Sequence, residues 1–234
     1  MSQSILCRVA LVVLCVLVFV AETSAEPVRL PAVVRDFSTR HVDFQPKGVT
    51  GGVVTEVVMP DLGSDGTPVL NPDRAPIDFI DSDQSFAQWF HDTPGTNERI
   101  DGEIPFDNAL TPDDRVYSFG RWAFFPIDNR GFGREGNRHN FHFTLELRTE
   151  FVYDSGDPIT LRYRSDDDLW VFINGKRVID LGGVRRDAAA HFVLDATSAA
   201  DLGLVAGERY EMVLFYAERR TQEAVLRADV LYTP

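Results

Sequence analysis

The stretch that most narrows what this chain can fold into runs from Ser165 to Gly183 and reads SDDDLWVFINGKRVIDLGG. Asn174-Gly175 is the dipeptide preferred by a two-residue type I′ turn, which needs positive φ at both positions, and it sits between the apolar runs Leu169–Ile173 and Val178–Leu181. A β-hairpin follows, and with it a sheet to hold it. With Ile173 opposite Lys176, the pairing places Val171 against Val178 and Leu169 against Asp180. Asp167 then falls diagonal to Asp180 on the same side of the ribbon, with Asp166 and Asp168 beside it.

Other segments extend the sheet. From Asn140 to Tyr153, Phe141, Phe143, Leu145, Leu147, Phe151 and Tyr153 alternate with polar residues, the pattern of half-buried strand. Residues 154–158 read as a turn, after which Ile159, Leu161 and Tyr163 restart the alternation. Two later runs, Tyr210–Tyr216 and Ala224–Tyr232, also read as strands, and the region between the hairpin and Gly207 reads as a loop rich in Ala and Asp. The first half is less regular, with a short strand at Val33–Phe37 and turns at Gly51-Gly52, Gly63, Gly66 and Asn71-Pro72. One helix interrupts it, with Asp81 as N-cap, Gln84 as capping-box partner and Phe86, Trp89 and Phe90 on one face. Many short strands at regular spacing predict an all-β antiparallel sandwich, with one short helix in the N-terminal half.

The acidic cluster has two readings. Like charges about 7 Å apart repel by roughly 2 kcal/mol at an effective dielectric near 20, and a hard cation with oxygen ligands would relieve that cost. Arg162, Arg164, Arg185 and Arg186 are also near enough in sequence to pair with it, and no EF-hand spacing is present. The residues alone leave both open. Zinc at His139 and His142 is excluded, because in a strand the two point to opposite faces. A glycosidase needs two carboxyls flanking a cleft, for which 36 acidic residues give no specific support. The sequence has no nucleophile elbow or phosphate loop, and Phe215–Arg220 ends a strand with the charge of a solvated rim.

Residues 1–25 carry the marks of a secretory signal: Arg8 ahead of an apolar run from Val9 to Val20, then small residues at Thr23-Ser24-Ala25. The expectation is an exported protein, extracellular or at the cell surface, with residues 26–234 as one domain and no stable membrane insertion. Both cysteines, Cys7 and Cys15, fall inside this leader, so the remainder has no disulfide and must rely on a core. The formal charge of −13 is unchanged by cleavage, since Arg8 and Glu22 leave together. Such acidity argues against nucleic acid as a partner and suits recruitment of cations.

Five strings in order resemble the fibro-slime domain family: VVRDF at Val33–Phe37, FPIDNRGFG at Phe125–Gly133, HNFHFTLEL at His139–Leu147, residues 165–183, and FYAERR at Phe215–Arg220. That family is related to the anthrax protective-antigen-type β-sandwich, found in secreted toxins, glycosidases and flocculin-like adhesins. In its sugar-binding relatives an Asp-Asp pair joined by a cis peptide holds a Ca2+ that coordinates glycan hydroxyls. The resemblance implies that role for Asp166 and Asp167, with Asp180 as a third metal candidate and Asp168 and Arg185 as ligand contacts. The chain departs from the family pattern at Ser165, Arg185, Arg220 and Val225. The expected function is a non-catalytic, Ca2+-dependent module binding a glycan or polysaccharide. The alternatives are a structural protein contacting an extracellular-matrix component and, third, a hydrolase.

Overall fold

The computed structural model describes residues 27–73 and 79–234. The expected leader, residues 1–25, lies outside them. Among the described residues ten strands form two antiparallel sheets, the architecture that the alternating patterns predict: β1 (Val28–Phe37), β2 (Asn97–Phe106), β3 (Val116–Arg121), β4 (Phe143–Val152), β5 (Ile159–Asp166), β6 (Asp168–Ile173), β7 (Lys176–Leu181), β8 (Ala188–Leu194), β9 (Arg209–Glu218) and β10 (Val225–Leu231). The larger sheet runs β2-β1-β4-β9-β6-β7 and the smaller β3-β10-β5-β8. One apolar core draws on both sheets, with Phe143, Leu145 and Leu147 from β4 meeting Leu161 and Tyr163 from β5 and Ala228 and Val230 from β10.

The larger sheet is apolar on its other face as well. Trp170 and Phe172 of β6 and Val213, Phe215 and Ala217 of β9 form a second core with Phe37, Phe44, Val57 and Val58 and with Phe86, Trp89 and Phe90. Burying side chains of this size contributes about 1.5–3 kcal/mol each, so the segment between β1 and β2 is held as a cover over the sheet. The helix within it, α1 (Asp83–Ala87), is capped by Ser82 rather than Asp81. Ser82 Oγ accepts from Ser85 N at 3.1 Å, and Ser85 Oγ accepts from Ser82 N at 3.1 Å, while Asp81 N is engaged by Asp43 Oδ1 at 2.7 Å. The same cover runs along the free edge of β7, where Arg177 N donates to Pro60 O and Val54 N to Gly182 O. Gly182 permits this approach, because a Cβ there would lie 2.5 Å from Val54 O.

The region read as an Ala-rich loop holds structure: β8 and a second helix, α2 (Ala196–Leu202), capped by Asp195 and closed by Gly203 at φ 71°. The hairpin turn has the expected form, with Asn174 at φ 49° and Gly175 at φ 74°. Its register is different. Ile173 pairs with Lys176 and Phe172 with Arg177, but a bulge then shifts the ladder so that Val171 pairs with Ile179, Trp170 with Asp180 and Leu169 with Leu181. One extra residue on β7 moves Asp180 to the Trp170 face of the sheet, away from Asp167. Among the described residues, no helix is long and apolar enough to cross a membrane.

Candidate functional site

Asp166 closes β5 in the smaller sheet and Asp168 opens β6 in the larger, so the Asp166–Asp167 step is where the chain crosses between sheets. The peptide joining them is cis. At this end of the sandwich β9 finishes at Glu218 and β10 begins at Val225, which pairs with Asp166. The loop after β7 arrives as well, delivering Arg185 N to Asp167 Oδ1 at 2.8 Å. Arg219 N reaches Asp167 Oδ2 at 3.1 Å. Carboxylate oxygens of Asp166, Asp167 and Glu218 thereby come within 4.8 Å of one another, all three residues being buried.

Glu218 and Arg219 are the residues at this cluster that the sequence reading missed. The run Phe215–Arg220 was expected to be a solvated rim, yet Glu218 and Arg219 are 0% and 1% exposed. The signal was available in the period of two: Tyr216 is a core residue, and Glu218, two positions on, shares its face. The Tyr216 hydroxyl donates to Asp166 O at 2.5 Å and stands 3.1 Å from Glu218 Oε2.

The arginines close to the cluster offset it only in part: the Arg185 charge is felt at Asp166 and the Arg219 charge at Asp167, but neither guanidinium hydrogen-bonds a carboxylate of the cluster. The Arg219 guanidinium turns to Asp168, with Nε 2.8 Å from Oδ2, and to the carbonyls of Phe79 and Asp43. Arg185 gives Nη1 to Ser165 O at 2.6 Å, and Nη2 to Ser165 Oγ and Leu181 O, both at 2.9 Å. Asp168 is fully buried between Arg219 and Gly183 N, which makes it a strut rather than a surface contact. Asp180 accepts from Glu56 N at 2.6 Å and Trp170 Nε1 at 3.2 Å and pairs with Arg177 at 3.3 Å, so the structure does not bring it to the site. Val225, buried in the ladder beside Asp166, offers no side-chain oxygen.

The resulting charge fits a divalent cation. Asp166, Asp167, Asp168 and Glu218 carry four negative charges against two positive ones on Arg185 and Arg219, leaving a formal −2. Without a cation, protons must take its place: burial, then the Asp167 charge, pushes Asp166 up to about 8. Burial likewise raises Asp167 to about 6, and it holds Glu218 well above the usual carboxylate range. Among the described residues no N–H or O–H donor bonds to the Asp166 carboxylate, whose close polar neighbour is the Asp167 carboxylate. The donor set is oxygen only, which suits a hard ion such as Ca2+. Asp166 and Asp167 also line an open pocket of about 630 Å³, walled by Gly51, Val53, Val184, Arg186, Arg220 and Gln222. That size suits a small ligand or a sugar unit.

Residues 135–231 match the PA14 domain. The PA14 match begins before β4 and ends with β10, so it contains Asp166, Asp167 and Glu218 but leaves out β1–β3 and the cover over the larger sheet. Outside that segment the similarity continues in relatives that match more than four fifths of the chain. Protein psiR of Dictyostelium discoideum is 38% identical over 204 residues, 82% of this chain and 20% of that one. Protein psiD of the same organism is 36% identical over 211 residues, 84% of this chain and 40% of that one. The chain therefore spans between a fifth and two fifths of the length of these relatives. Among solved structures, the PA14 sugar-binding domain from an RTX adhesin aligns with 50% of this chain and 71% of its own at 12% identity, with a TM-score of 0.30.

Proposed function

We propose that the chain is a secreted, non-catalytic carbohydrate-binding or adhesion module in which Asp166, Asp167 and Glu218 hold a Ca2+ at the pocket of about 630 Å³. The observation that carries this reading is the convergence of the buried Asp166, Asp167 and Glu218 carboxylates in a group whose formal charge, with Asp168, Arg185 and Arg219 counted, is −2, and in which no guanidinium hydrogen-bonds any of the three. Support also comes from the PA14 match, which includes all three residues. The resemblance to the fibro-slime domain family belongs to the same proposal. When bound, the ion would offer open coordination positions to vicinal hydroxyls, as a hard cation does to neutral oxygens. The protein's own part is to orient the carboxylates: Arg185 N and Arg219 N fix both oxygens of Asp167, and Tyr216 fixes the Asp166 carbonyl.

Arrayed glycans probed with the protein in millimolar Ca2+, in chelator, and as Asp167→Asn test this directly. Binding that requires Ca2+ and disappears in the variant supports the reading. Equal binding by parent and variant, or release of sugar products from polysaccharide, overturns it.

A further inference from the structure

The charges around the pocket do not stop at the carboxylates. Five guanidinium groups stand outside the inner set: Arg186 and Arg220 line the pocket, and Arg162, Arg164 and Arg227 line a groove beside it. Arg164 pairs with Asp187, which removes both from the balance. Arg186 and Arg220 line the pocket, and among the described residues neither has a carboxylate within ion-pair distance. Glu223, whose charge is felt at Asp166, lies on the exposed loop and is not part of the lining. Once a dication balances the inner group, Arg186 and Arg220 remain as uncompensated positive charges facing the cavity. In a chain of formal charge −13, two such arginines at one pocket are not explained by average composition.

The pocket also has a continuation. Ala188 belongs to its wall, and the next residue, Ala189, floors an adjoining groove of about 260 Å³ lined by Arg162, Arg164, His191 and Arg227. These lie on the outer face of the smaller sheet, where Arg164 is directly opposite Arg227 and Arg162 is opposite His191. Arg164 is paired with Asp187 and Arg227 stands near Asp229, so among the described residues Arg162 is the guanidinium of this groove with no carboxylate within ion-pair distance. Of the carboxylates at that face, Asp166 belongs to the pocket, Asp187 pairs with Arg164, and Asp229 is fully buried; Asp229 accepts from Ser118 Oγ and Arg162 N and is 3.8 Å from Arg227 Nη2. Trp122, 71% exposed, holds its ring under Arg164 at 5.4 Å and extends the face with an aromatic plate on which a sugar ring can lie.

We infer that the ligand is an acidic polysaccharide: one unit docks at the pocket with its carboxylate or sulfate on Arg186 and Arg220, and the following units run onto the Arg162–Arg227 groove. This rests on the carbohydrate reading above and adds the charge of the ligand to it. Arginine is suited to the task, since its planar fork takes carboxylate or sulfate through paired hydrogen bonds.

The test compares a chondroitin sulfate tetrasaccharide with its desulfated, carboxyl-reduced counterpart by titration calorimetry in millimolar Ca2+. Both are measured against the parent, Arg186→Gln/Arg220→Gln, Arg162→Gln/Arg227→Gln and Asp167→Asn, with melting temperature as the folding control. The expected result is preference for the charged saccharide. Each arginine pair should cost about ten-fold or more in affinity, as the loss of charge-assisted hydrogen bonds implies, with both variants still unfolding cooperatively. Binding should weaken as salt rises. Ca2+-dependent binding of both saccharides with equal affinity overturns the acidic ligand and leaves the carbohydrate reading standing. Charged-saccharide binding that survives in Asp167→Asn but falls in the arginine variants upholds the anionic surface and removes the cation from it. Binding of a single-stranded oligonucleotide as tight as that of the saccharide overturns the choice of ligand.

Discussion

Replacing Arg219 by methionine should be among the most damaging single changes in the chain, and the structure gives the size of the effect. The guanidinium is 1% exposed, 2.8 Å from Asp168 Oδ2 and 2.8 Å from Phe79 O, and 4.6 Å from the centre of the Trp89 ring. Methionine fills much the same space, so the loss is electrostatic rather than a cavity: a fully buried Asp168 is left without its cation. Removing one member of a buried pair costs about 3–5 kcal/mol. At about 2–4 °C per kcal/mol for a chain of this size, the melting temperature should fall by roughly 6–20 °C. Calorimetric unfolding of the parent, Arg219→Met, Asp168→Asn and the double variant measures it. The double variant should be more stable than the sum of the single losses predicts, because the uncompensated charge is gone. A single-variant loss under about 1 kcal/mol, or strict additivity, would refute a strut role for this pair.

Three further outcomes follow from the same geometry. Asp180→Asn should leave Ca2+-dependent stabilisation unchanged, since Asp180 serves Glu56 N, Trp170 Nε1 and Arg177 on the other face; loss of the Ca2+ effect would restore it to the site. Gly182→Ala should cost about 1–3 kcal/mol, because its Cβ would meet Val54 O at 2.5 Å and Val57 Cγ2 at 2.7 Å, and hydrogen exchange should rise first along the β7 edge. In chelator, stability should fall as pH rises through the folded value of about 8 at Asp166, because that carboxyl is protonated when folded and ionised when unfolded. Asp36, raised to about 7 by burial, acts in the same direction, so the difference between the parent and Asp166→Asn isolates the site. The slope should flatten in that variant and in saturating Ca2+, and a parent whose stability is level between pH 7 and 9 would contradict it.

The strands legible in the sequence are those whose alternation the core enforces. β4, β5, β9 and β10 lie inside their sheets, where one or both faces are buried and the pattern is strict. The strands left unread, β2, β3 and β8, are all sheet edges. An edge needs only one ladder, so β2 tolerates Gly102 and Pro105, and β8 is written in Ala188, Ala189 and Ala190 with little β preference. At the site, the residues alone left the acidic cluster open, and it was the resemblance to the fibro-slime domain family that singled out Asp166 and Asp167. Asp180 was misplaced because nothing in Lys176–Leu181 announces a bulge, and one extra residue inverts every side chain beyond it. Glu218 and Arg219 were hidden by the assumption that charges at a strand end are solvated, whereas here the strand end is itself the closed end of the sandwich.

Calcium titrated into the chelator-stripped protein, followed by calorimetry, tests the central claim most directly. The parent should show one saturable site that is lost in Asp167→Asn and in Glu218→Gln, with both variants folded. No heat from the parent at millimolar Ca2+, or the same isotherm in all three proteins, would contradict a cation held by Asp166, Asp167 and Glu218.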